Sequence, residues 1–294
     1  DLTVRDLDPA KTEQFRSAGA SVADSPKEIA ETCEIIVTCL PSPSASASVM
    51  EDENGILAGL SAGKIWIEMS TTDQQEVLRL GQKVKDLGAL PADCPVSGGC
   101  HRAATANIAI FAGCERAVFE RVLPLLARMG QQVLHTGELG SASVLKVVTN
   151  YLATANLLSL SEALVTTKAA GLDLATAYEA IRISSGNSFV HETESQVILN
   201  GSRDINFTMD LVIKDISLFQ EIADRENVPL EISPLLIEIF KDAQDKYGAR
   251  EWSPNVIRRL EDSTGLDVTT GGFPAQIVDD EPERLGQEVI VSHK

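Results

Sequence analysis

The hydropathy pattern of this 294-residue chain changes near residue 140. Up to that point, short apolar runs bounded by turn residues alternate with segments of helical period, and beyond it the helical period continues almost without interruption. Alternating strands and helices are typical of an α/β fold with a mostly parallel sheet. We therefore predict an α/β domain over residues 1–140, an all-helical domain over residues 141–262 and an irregular tail over residues 263–294.

Apolar periodicity places the individual elements along the chain. Strands are predicted at 2–5, 34–40, 64–69, 89–93, 107–112 and 131–136. Helices are predicted at 9–18, 26–32, 73–87, 115–129, 141–170, 173–184, 189–200, 209–226, 231–247 and 252–262. The tail is rich in Gly, Asp, Glu and Pro, and we expect it to pack on the body of the protein or on another subunit.

Composition argues against several classes of function. A formal net charge of −18 argues against a nucleic-acid partner, which needs basic patches on the protein surface. No apolar run approaches the roughly 18 residues of a membrane span, and no signal peptide is visible, so we expect a cytoplasmic protein. The five cysteines lack metal-ligand spacing, so no metal site is predicted and they are interpreted as apolar residues of a reducing compartment.

Lys146 and Asn150 are the first candidates for catalysis. They are four residues apart, so a helix places them on one face, one turn from each other. They follow the segment Gly137-Glu-Leu-Gly140 and stand among apolar residues. Burying an ammonium group is costly without a partner, and desolvation lowers the pKa of a lysine toward the range useful for proton transfer. We therefore expect Lys146 to exchange a proton with a substrate.

Other polar segments follow predicted strands, where an α/β sheet binds its ligands. Asp6 closes the first strand, and it is either a ligand of the ribose hydroxyls of a dinucleotide or an ordinary strand-end carboxylate. Leu40-Pro41 follows the strand at 34–40 and is, taken alone, simply a turn. Ser70-Thr71-Thr72-Asp73 follows the strand at 64–69, and Thr72 or Asp73 is expected to cap the next helix.

The segment Asp93-Cys-Pro-Val-Ser97-Gly98-Gly99 supplies a hydroxyl and unobstructed backbone N–H groups. These are the parts that hold a carboxylate or another anion, although a flexible turn is the alternative. Arg102 lies just beyond, and it is either a solvent-exposed loop residue or a ligand of a second anionic group. Lys214-Asp215 lies on a predicted helix, where such a pair usually belongs to a solvated face.

Taken in order, these segments resemble the β-hydroxyacid dehydrogenase family, which includes 3-hydroxyisobutyrate dehydrogenases and tartronate semialdehyde reductases. The matching residues are Asp6, Leu40-Pro41, Ser70-Thr71, Asp93 to Gly99, Gly137 with Lys146 and Asn150, and Lys214-Asp215. They occur in the family's order and spacing over residues 1 to about 250. The resemblance implies a Rossmann-type dinucleotide-binding domain followed by an all-α domain that mediates dimerisation.

The resemblance also implies an oxidoreductase that transfers a hydride between NAD and a small anionic β-hydroxy acid or its semialdehyde. Ser97, Gly98 and Gly99 would bind the substrate carboxylate, Lys146 would be the general acid/base, and Asn150 would orient the substrate and the lysine. The residues implied to contact the cofactor are Asp6, Leu40, Pro41, Thr71 and Lys214. NAD is expected rather than NADP because the carboxylate at residue 6 would repel a 2′-phosphate. The implied assembly is a homo-oligomer, a dimer or a tetramer.

The sequence departs from the family at a few positions. Ala142 stands where the family often has a second glycine before the lysine helix, and Glu68-Met-Ser-Thr71 replaces a DSST-like segment. The chain opens within a predicted strand, so we expect the G-x-G-x-x-G turn to lie before residue 1. The dinucleotide-binding domain is therefore expected to be incomplete at its N-terminus, and the 294 residues alone to bind NAD poorly.

Two other hypotheses stay open. A related imine or ketone reductase would share the fold, but those relatives generally lack the lysine, so Lys146 argues against this hypothesis. The other is a non-catalytic or inactive truncated member of the family, which would not turn over a substrate.

Overall fold

The structure is a computed structural model that describes residues 1–292. These residues form two compact units. The first unit contains Asp1–Ser97, Ala109–Lys146 and the described residues from Leu285 onward. The second unit contains Gly98–Ile108 and Val147–Arg284. Each unit is therefore assembled from separate stretches of sequence.

The strands are short, and six of the nine correspond to predicted strands; β2, β6 and β9 were not predicted. They are β1 (Thr3–Val4), β2 (Ser21–Val22), β3 (Ile35–Thr38), β4 (Ile65–Glu68), β5 (Leu90–Asp93), β6 (Val96–Ser97), β7 (Ala109–Gly113), β8 (Gln132–Gly137) and β9 (Gln287–Glu288).

The strands form two sheets. β1 and β2 pair in parallel as a two-stranded sheet. The larger sheet has the order β3-β4-β5-β7-β8-β9, and β6 pairs with β7 outside this path. β3, β4 and β5 are parallel, β7 runs antiparallel to β5, and β7, β8 and β9 are parallel to one another. Thr38 pairs with Glu68, so the carboxyl ends of β3 and β4 lie side by side.

The helices divide between the two units. Those of the first unit are α1 (Pro9–Ser17), α2 (Pro26–Thr32), α3 (Pro43–Glu51), α4 (Ile56–Gly59), α5 (Gln74–Asp86) and α7 (Arg116–Met129). Those of the second unit are α6 (Cys100–Ala104), α9 (Leu174–Arg182), α10 (Phe189–Asn200), α11 (Met209–Arg225), α12 (Ile232–Tyr247), a 3₁₀ helix (Ser253–Ile257) and α13 (Arg258–Thr264). Helix α8 (Ser141–Ala169) is continuous and contains residues assigned to both units.

Each unit has its own apolar core. Every residue of β4 is buried, as expected for a strand in a parallel sheet that is covered on both faces. The side chain of Trp66 in this strand is fully buried in a cluster with Ile36, Met50 and Leu80. In the second unit, the buried side chains include Leu164, Ile198, Ile216, Phe240 and Ile257.

The predicted fold class, an α/β dinucleotide-binding fold followed by helices, is confirmed. Every predicted strand and helix has a counterpart with ends shifted by a few residues. The region after β3 differs, because a turn was expected and the chain instead forms α3. Ser42 caps this helix by accepting a hydrogen bond from the Ala45 N–H at 3.1 Å, and Pro43 is the first helical residue.

The expectation of a wholly irregular tail is wrong at β9. The Gln287 N–H donates to the Gln131 carbonyl at 3.1 Å, and the Val289 N–H donates to the Val133 carbonyl at 2.8 Å. The guanidinium group of Arg116 also binds the two carboxylate oxygens of Glu288, at 2.6 and 3.0 Å. Backbone pairing with the open edge of β8 therefore holds these residues in a strand, although their own sequence gives little indication of one.

Among residues 1–292, no helix combines the length and apolarity needed to cross a membrane.

The burial of Glu194 on α10 leads us to predict a pH dependence of the free energy of unfolding. Its Oε2 is buried and has no hydrogen-bond partner among residues 1–292, and burial raises its pKa from 4.5 to about 8. Between these values the folded state keeps a proton that the unfolded state has lost, so stability is expected to fall as the pH rises from about 4.5 to about 8. Glu194→Gln should therefore match the wild type in urea unfolding at pH 4 and exceed it at pH 8. The control Glu221→Gln, at an exposed position, should leave the pH dependence unchanged; a similar effect of both variants would contradict the assignment.

Candidate active site

Lys146 lies on the second turn of α8, and only 9% of its surface is exposed. Asn150 is half-buried and follows one turn later on the same face of the helix. Ala142 and Val147, on either side of the lysine in sequence, are buried. The structure therefore places the two expected catalytic residues as the spacing indicated, on one helix face and away from bulk solvent.

Asp93, at the end of β5, fixes the N-terminus of this helix. Its Oδ1 accepts a hydrogen bond from the Gly140 N–H at 2.9 Å, and its Oδ2 accepts from the N–H and hydroxyl of Ser143 at 2.8 and 3.1 Å. The first N–H groups of a helix have no partner within the helix, so a carboxylate at this place satisfies them. Burial raises the pKa of Asp93, and the hydrogen bonds from residues 140 and 143 oppose that rise.

The carboxylate of Asp93 requires a glycine beside it. A Cβ atom on Gly113 would lie 2.3 Å from Asp93 Oδ1 and 3.0 Å from the Ala142 nitrogen. From the sequence, Asp93 is expected only as the first residue of the anion-binding segment, and its contact with the start of α8 is not predicted. Its consequence is that the strand leading to Ser97 and the helix carrying Lys146 are joined through one buried side chain.

Asp215 connects Asn150 with Lys214. The amide Nδ2 of Asn150 donates to Asp215 Oδ2 at 2.5 Å, and Lys214 Nζ lies 2.6 Å from Asp215 Oδ1. The residue is 2% exposed, so the interpretation of this pair as a solvated helix face is wrong for Asp215. Asp215 was not among the predicted site residues. The sequence signal for Asp215 is its position next to Lys214 on a predicted helix. A solvent-exposed Lys-Asp pair gives the same signal, so the sequence alone does not distinguish the two.

The anion-binding segment combines a strand end with two unusual glycines. Ser97 ends β6 and pairs with Ala109 of β7. Gly98 and Gly99 follow with φ of +132° and +87°, conformations that side-chain-bearing residues rarely adopt. The imidazole of His101 lies over Gly99, since a Cβ there would be 2.9 Å from the ring. A side chain at residue 99 would therefore collide with the His101 ring, so both the backbone conformation and the contact with this ring favour glycine at this position.

The expected cofactor loops meet at the carboxyl ends of β3 and β4. The Leu40 N–H donates to the hydroxyl oxygen of Ser70 at 2.7 Å, and that hydroxyl donates to the carboxylate of Glu68. Glu68 is buried, and burial raises its pKa. Asp73 caps α5 by accepting from the Glu76 N–H at 3.2 Å, which confirms one of the two capping residues proposed.

Asp6 follows β1 and has local partners. It accepts a hydrogen bond from the Asp8 N–H at 2.8 Å and lies 3.9 Å from Lys11 Nζ, while 41% of its side chain remains exposed. Asp6 is therefore accessible, and both the ribose and the strand-end interpretations remain predictions.

The side chains after β1, β3 and β4 have the chemistry that a nicotinamide dinucleotide needs. Asp6 offers a carboxylate to ribose hydroxyls, Leu40 and Pro41 offer apolar surface to a ring, and Thr71 offers a hydroxyl. Beside the last of these, the buried Thr72 hydroxyl has no hydrogen-bond partner among residues 1–292. The residues present therefore fit such a cofactor. In the same described range, no group of three or more His, Cys, Asp and Glu side chains is arranged to hold a metal ion.

Comparison with known proteins gives family matches over most of the chain. Residues 1–137 match the NAD-binding domain of 6-phosphogluconate dehydrogenase, and residues 140–260 match the NAD-binding domain described for NADP-dependent 3-hydroxyisobutyrate dehydrogenase. The 2-(hydroxymethyl)glutarate dehydrogenase of Eubacterium barkeri is 32% identical over 267 residues, which cover 90% of this chain and 89% of the relative.

Solved structures with lower identity share the fold. The 3-hydroxyisobutyrate dehydrogenase of Salmonella typhimurium superimposes with a TM-score of 0.78 at 23% identity, covering 87% of this chain and 90% of that one. An imine reductase from Myxococcus stipitatus, in complex with NADP⁺, gives a TM-score of 0.58 at 17% identity, covering 88% of this chain and 91% of that one.

Proposed function

The chain belongs to the β-hydroxyacid dehydrogenase family of the 3-hydroxyisobutyrate dehydrogenase type, and from this premise we propose that it interconverts a small β-hydroxy acid and its semialdehyde. Its enzyme class is an NAD(P)-dependent dehydrogenase acting on a CH–OH group. One observation carries the assignment of the site: a buried lysine, Lys146, stands one helical turn before Asn150, whose amide is held by Asp215.

The chemistry divides between the cofactor and the side chains of this protein. A nicotinamide dinucleotide held by Asp6, Leu40, Pro41, Thr71 and Lys214 would supply the acceptor for the hydride of the carbinol carbon. In that direction the neutral amine of Lys146 takes the proton from the hydroxyl, and in the reverse direction its ammonium form returns a proton to the carbonyl oxygen. Asn150 orients the hydroxyl and the lysine. The hydroxyl of Ser97 and the backbone N–H groups of Gly98 and Gly99 hold the carboxylate.

The names of the relatives indicate the substrate class. 2-(Hydroxymethyl)glutarate and 3-hydroxyisobutyrate both carry a hydroxyl on the carbon β to a carboxylate. Such a substrate needs an anion site and a proton acceptor at a fixed separation. The Ser97-Gly98-Gly99 segment and Lys146 are the residues that we assign to these two tasks.

The experiment that tests the function follows NADH formation by the purified full-length protein with a panel of hydroxy acids. The panel contains 3-hydroxyisobutyrate, 2-(hydroxymethyl)glutarate, threonate and glycerate, and each acid is paired with the alcohol that lacks its carboxylate. We expect turnover of at least one β-hydroxy acid and none of its paired alcohol, because the alcohol cannot occupy the anion site. Turnover of a cyclic imine instead would favour the imine reductase hypothesis, and absence of any turnover would favour an inactive family member.

We infer a preference for NAD over NADP from Asp6. A carboxylate accepts hydrogen bonds from the two ribose hydroxyls and repels a 2′-phosphate. Asp6→Ser is expected to raise the KM for NAD by about 10-fold or more and to lower the KM for NADP. The control is Asp8→Ser, which changes a nearby acidic residue but keeps a good N-cap for α1. Equal changes with both cofactors in Asp6→Ser would contradict this role.

Two further properties belong to the proposal. The five free cysteines support a reducing compartment, so we place the protein in the cytoplasm. The second unit exposes large apolar side chains, which support a homo-oligomer of two or four subunits. They include Leu152, Leu172, Ile183, Ile232 and Leu235. Light scattering of the purified protein measures the mass directly, and a monomer would overturn this part of the proposal.

A further inference from the structure

We propose that Asp279, in the tail over residues 263–294, is a positioning residue that orders the segment containing the substrate-binding glycines. This segment runs from Gly98 to Ile108 and includes α6. The inference rests on the proposed function, because it assigns Gly98 and Gly99 to the substrate carboxylate. It gives the tail a role in substrate affinity that neither the family resemblance nor the matched family models supply.

The contacts of Asp279 converge on the far end of the segment. Its Oδ2 accepts hydrogen bonds from the hydroxyl of Thr105 and from Asn107 Nδ2, the latter at 2.7 Å. The same Asn107 amide donates to the carbonyl of Glu281 at 2.9 Å. Hydrogen bonds from Thr105 and Asn107 lower the pKa of Asp279, so its carboxylate is the form that is held at neutral pH.

Other contacts join the same two stretches of chain. The guanidinium of Arg102 lies 3.2 Å from the carboxylate of Glu281 and stacks over Phe189 at 5.0 Å. Arg102 thus forms an ion pair with the tail, which differs from both roles predicted for it from the sequence. Gln276 and Ile277 of the tail also line a cavity with Cys100 and His101.

The backbone of the segment explains why it needs such support. Gly98 and Gly99 adopt positive φ, and Ala106 does so at +57°, where a residue with a side chain is uncommon. A chain with two adjacent glycines has many conformations, and ordering it on ligand binding would reduce affinity. The hydrogen bonds from Thr105 and Asn107 to Asp279 fix the segment before the substrate arrives.

The test compares Asp279→Ala with Asp280→Ala in the hydroxy-acid assay. Asp280 is the neighbouring exposed acidic residue, so the two variants lose the same charge within one position. Asp279→Ala is expected to raise the KM for the hydroxy acid by about 5- to 10-fold, with kcat and the KM for the dinucleotide within about 2-fold of the wild type. Asp280→Ala is expected to change none of these constants.

Three further measurements separate positioning from general loss of structure. Asp279→Asn keeps one carbonyl oxygen as an acceptor and should restore part of the affinity. Thr105→Val should give little additional effect in the Asp279→Ala background, because both changes remove the same hydrogen bond. Amide exchange over residues 98–108 should be faster in Asp279→Ala than in Asp280→Ala, whether or not a substrate is turned over.

The outcomes also distinguish the two proposals. An unchanged hydroxy-acid KM in Asp279→Ala, with an active wild type, overturns the role of the tail and leaves the proposed function intact. A higher kcat/KM in Asp279→Ala also overturns it, since the tail would then restrain the site rather than order it. Failure of the wild type with every hydroxy acid overturns the proposed function and this inference with it.

Discussion

Replacing Lys146 with alanine is expected to lower turnover of the hydroxy acid by on the order of 10²–10⁴-fold, the range typical of a general acid or base. The amine is the group that we assign to accept the hydroxyl proton, and its removal leaves water as the acceptor. Alanine is a strong helix former, so α8 should persist. The measurement is kcat for NADH formation, with circular dichroism and urea unfolding to verify the fold.

Control variants test whether the loss of activity comes from proton transfer. Lys146→Arg keeps a positive charge but cannot act as a base near neutral pH, so it should be nearly as slow as Lys146→Ala. Lys168→Ala removes another lysine of α8, near its C-terminus, and should retain full activity. Added methylamine should recover part of the turnover of Lys146→Ala but not that of Lys146→Arg. Full activity in Lys146→Arg would show that charge alone matters and would contradict the assignment.

Replacing Asp93 with asparagine is expected to be the most damaging substitution for stability, at about 2–4 kcal/mol. The new amide group would face the N–H and hydroxyl donors of Ser143, so buried donors that the carboxylate satisfies would lose their acceptor. Because the same carboxylate fixes the start of α8, we also expect kcat to fall at temperatures where the variant remains folded. Urea denaturation and kcat at low temperature measure the two effects separately.

The control for Asp93→Asn is the same substitution at another aspartate that accepts hydrogen bonds at the start of a helix. Asp173 caps α9 by accepting hydrogen bonds from Thr176, but it is exposed to solvent. Asp173→Asn should cost much less stability than Asp93→Asn, because asparagine is also a good N-cap and water can replace lost contacts. A similar loss of stability in both variants would contradict the argument that burial of the Asp93 contacts makes them important.

The fold could be predicted where local patterns are strong. The strand at Ile65–Glu68 begins with three consecutive apolar residues, and the helices of the second unit have clear helical periods. α3 was missed because its serines and alanines give little hydropathy contrast, although Ser42-Pro43 is a helix-start signal. β9 was missed because its partner is distant in sequence, and only the edge of β8 gives Gln287–Glu288 their extended conformation.

The candidate site shows the same limit. The spacing of Lys146 and Asn150 on one helix face follows from helical geometry alone, so it could be predicted. Asp93, Asp215 and Asp279 could not be assigned, because each acts through a partner between about 45 and 175 residues away in sequence. An aspartate has many structural uses, and burial of its carboxylate appears only after the chain folds.

The pairing of β9 with β8 has a consequence for biosynthesis. The two strands are about 155 residues apart, and Gly98–Ile108, which belongs to the second unit, interrupts the first. Emerging from the ribosome, the first unit cannot complete its sheet until residues 287–289 have been translated. High contact order of this kind slows folding, so the exposed edge of β8 must be kept from pairing with other chains in the meantime. We expect the first unit to reach its native state only after these residues have emerged, and the yield of the protein to respond to chaperones that bind nascent chains.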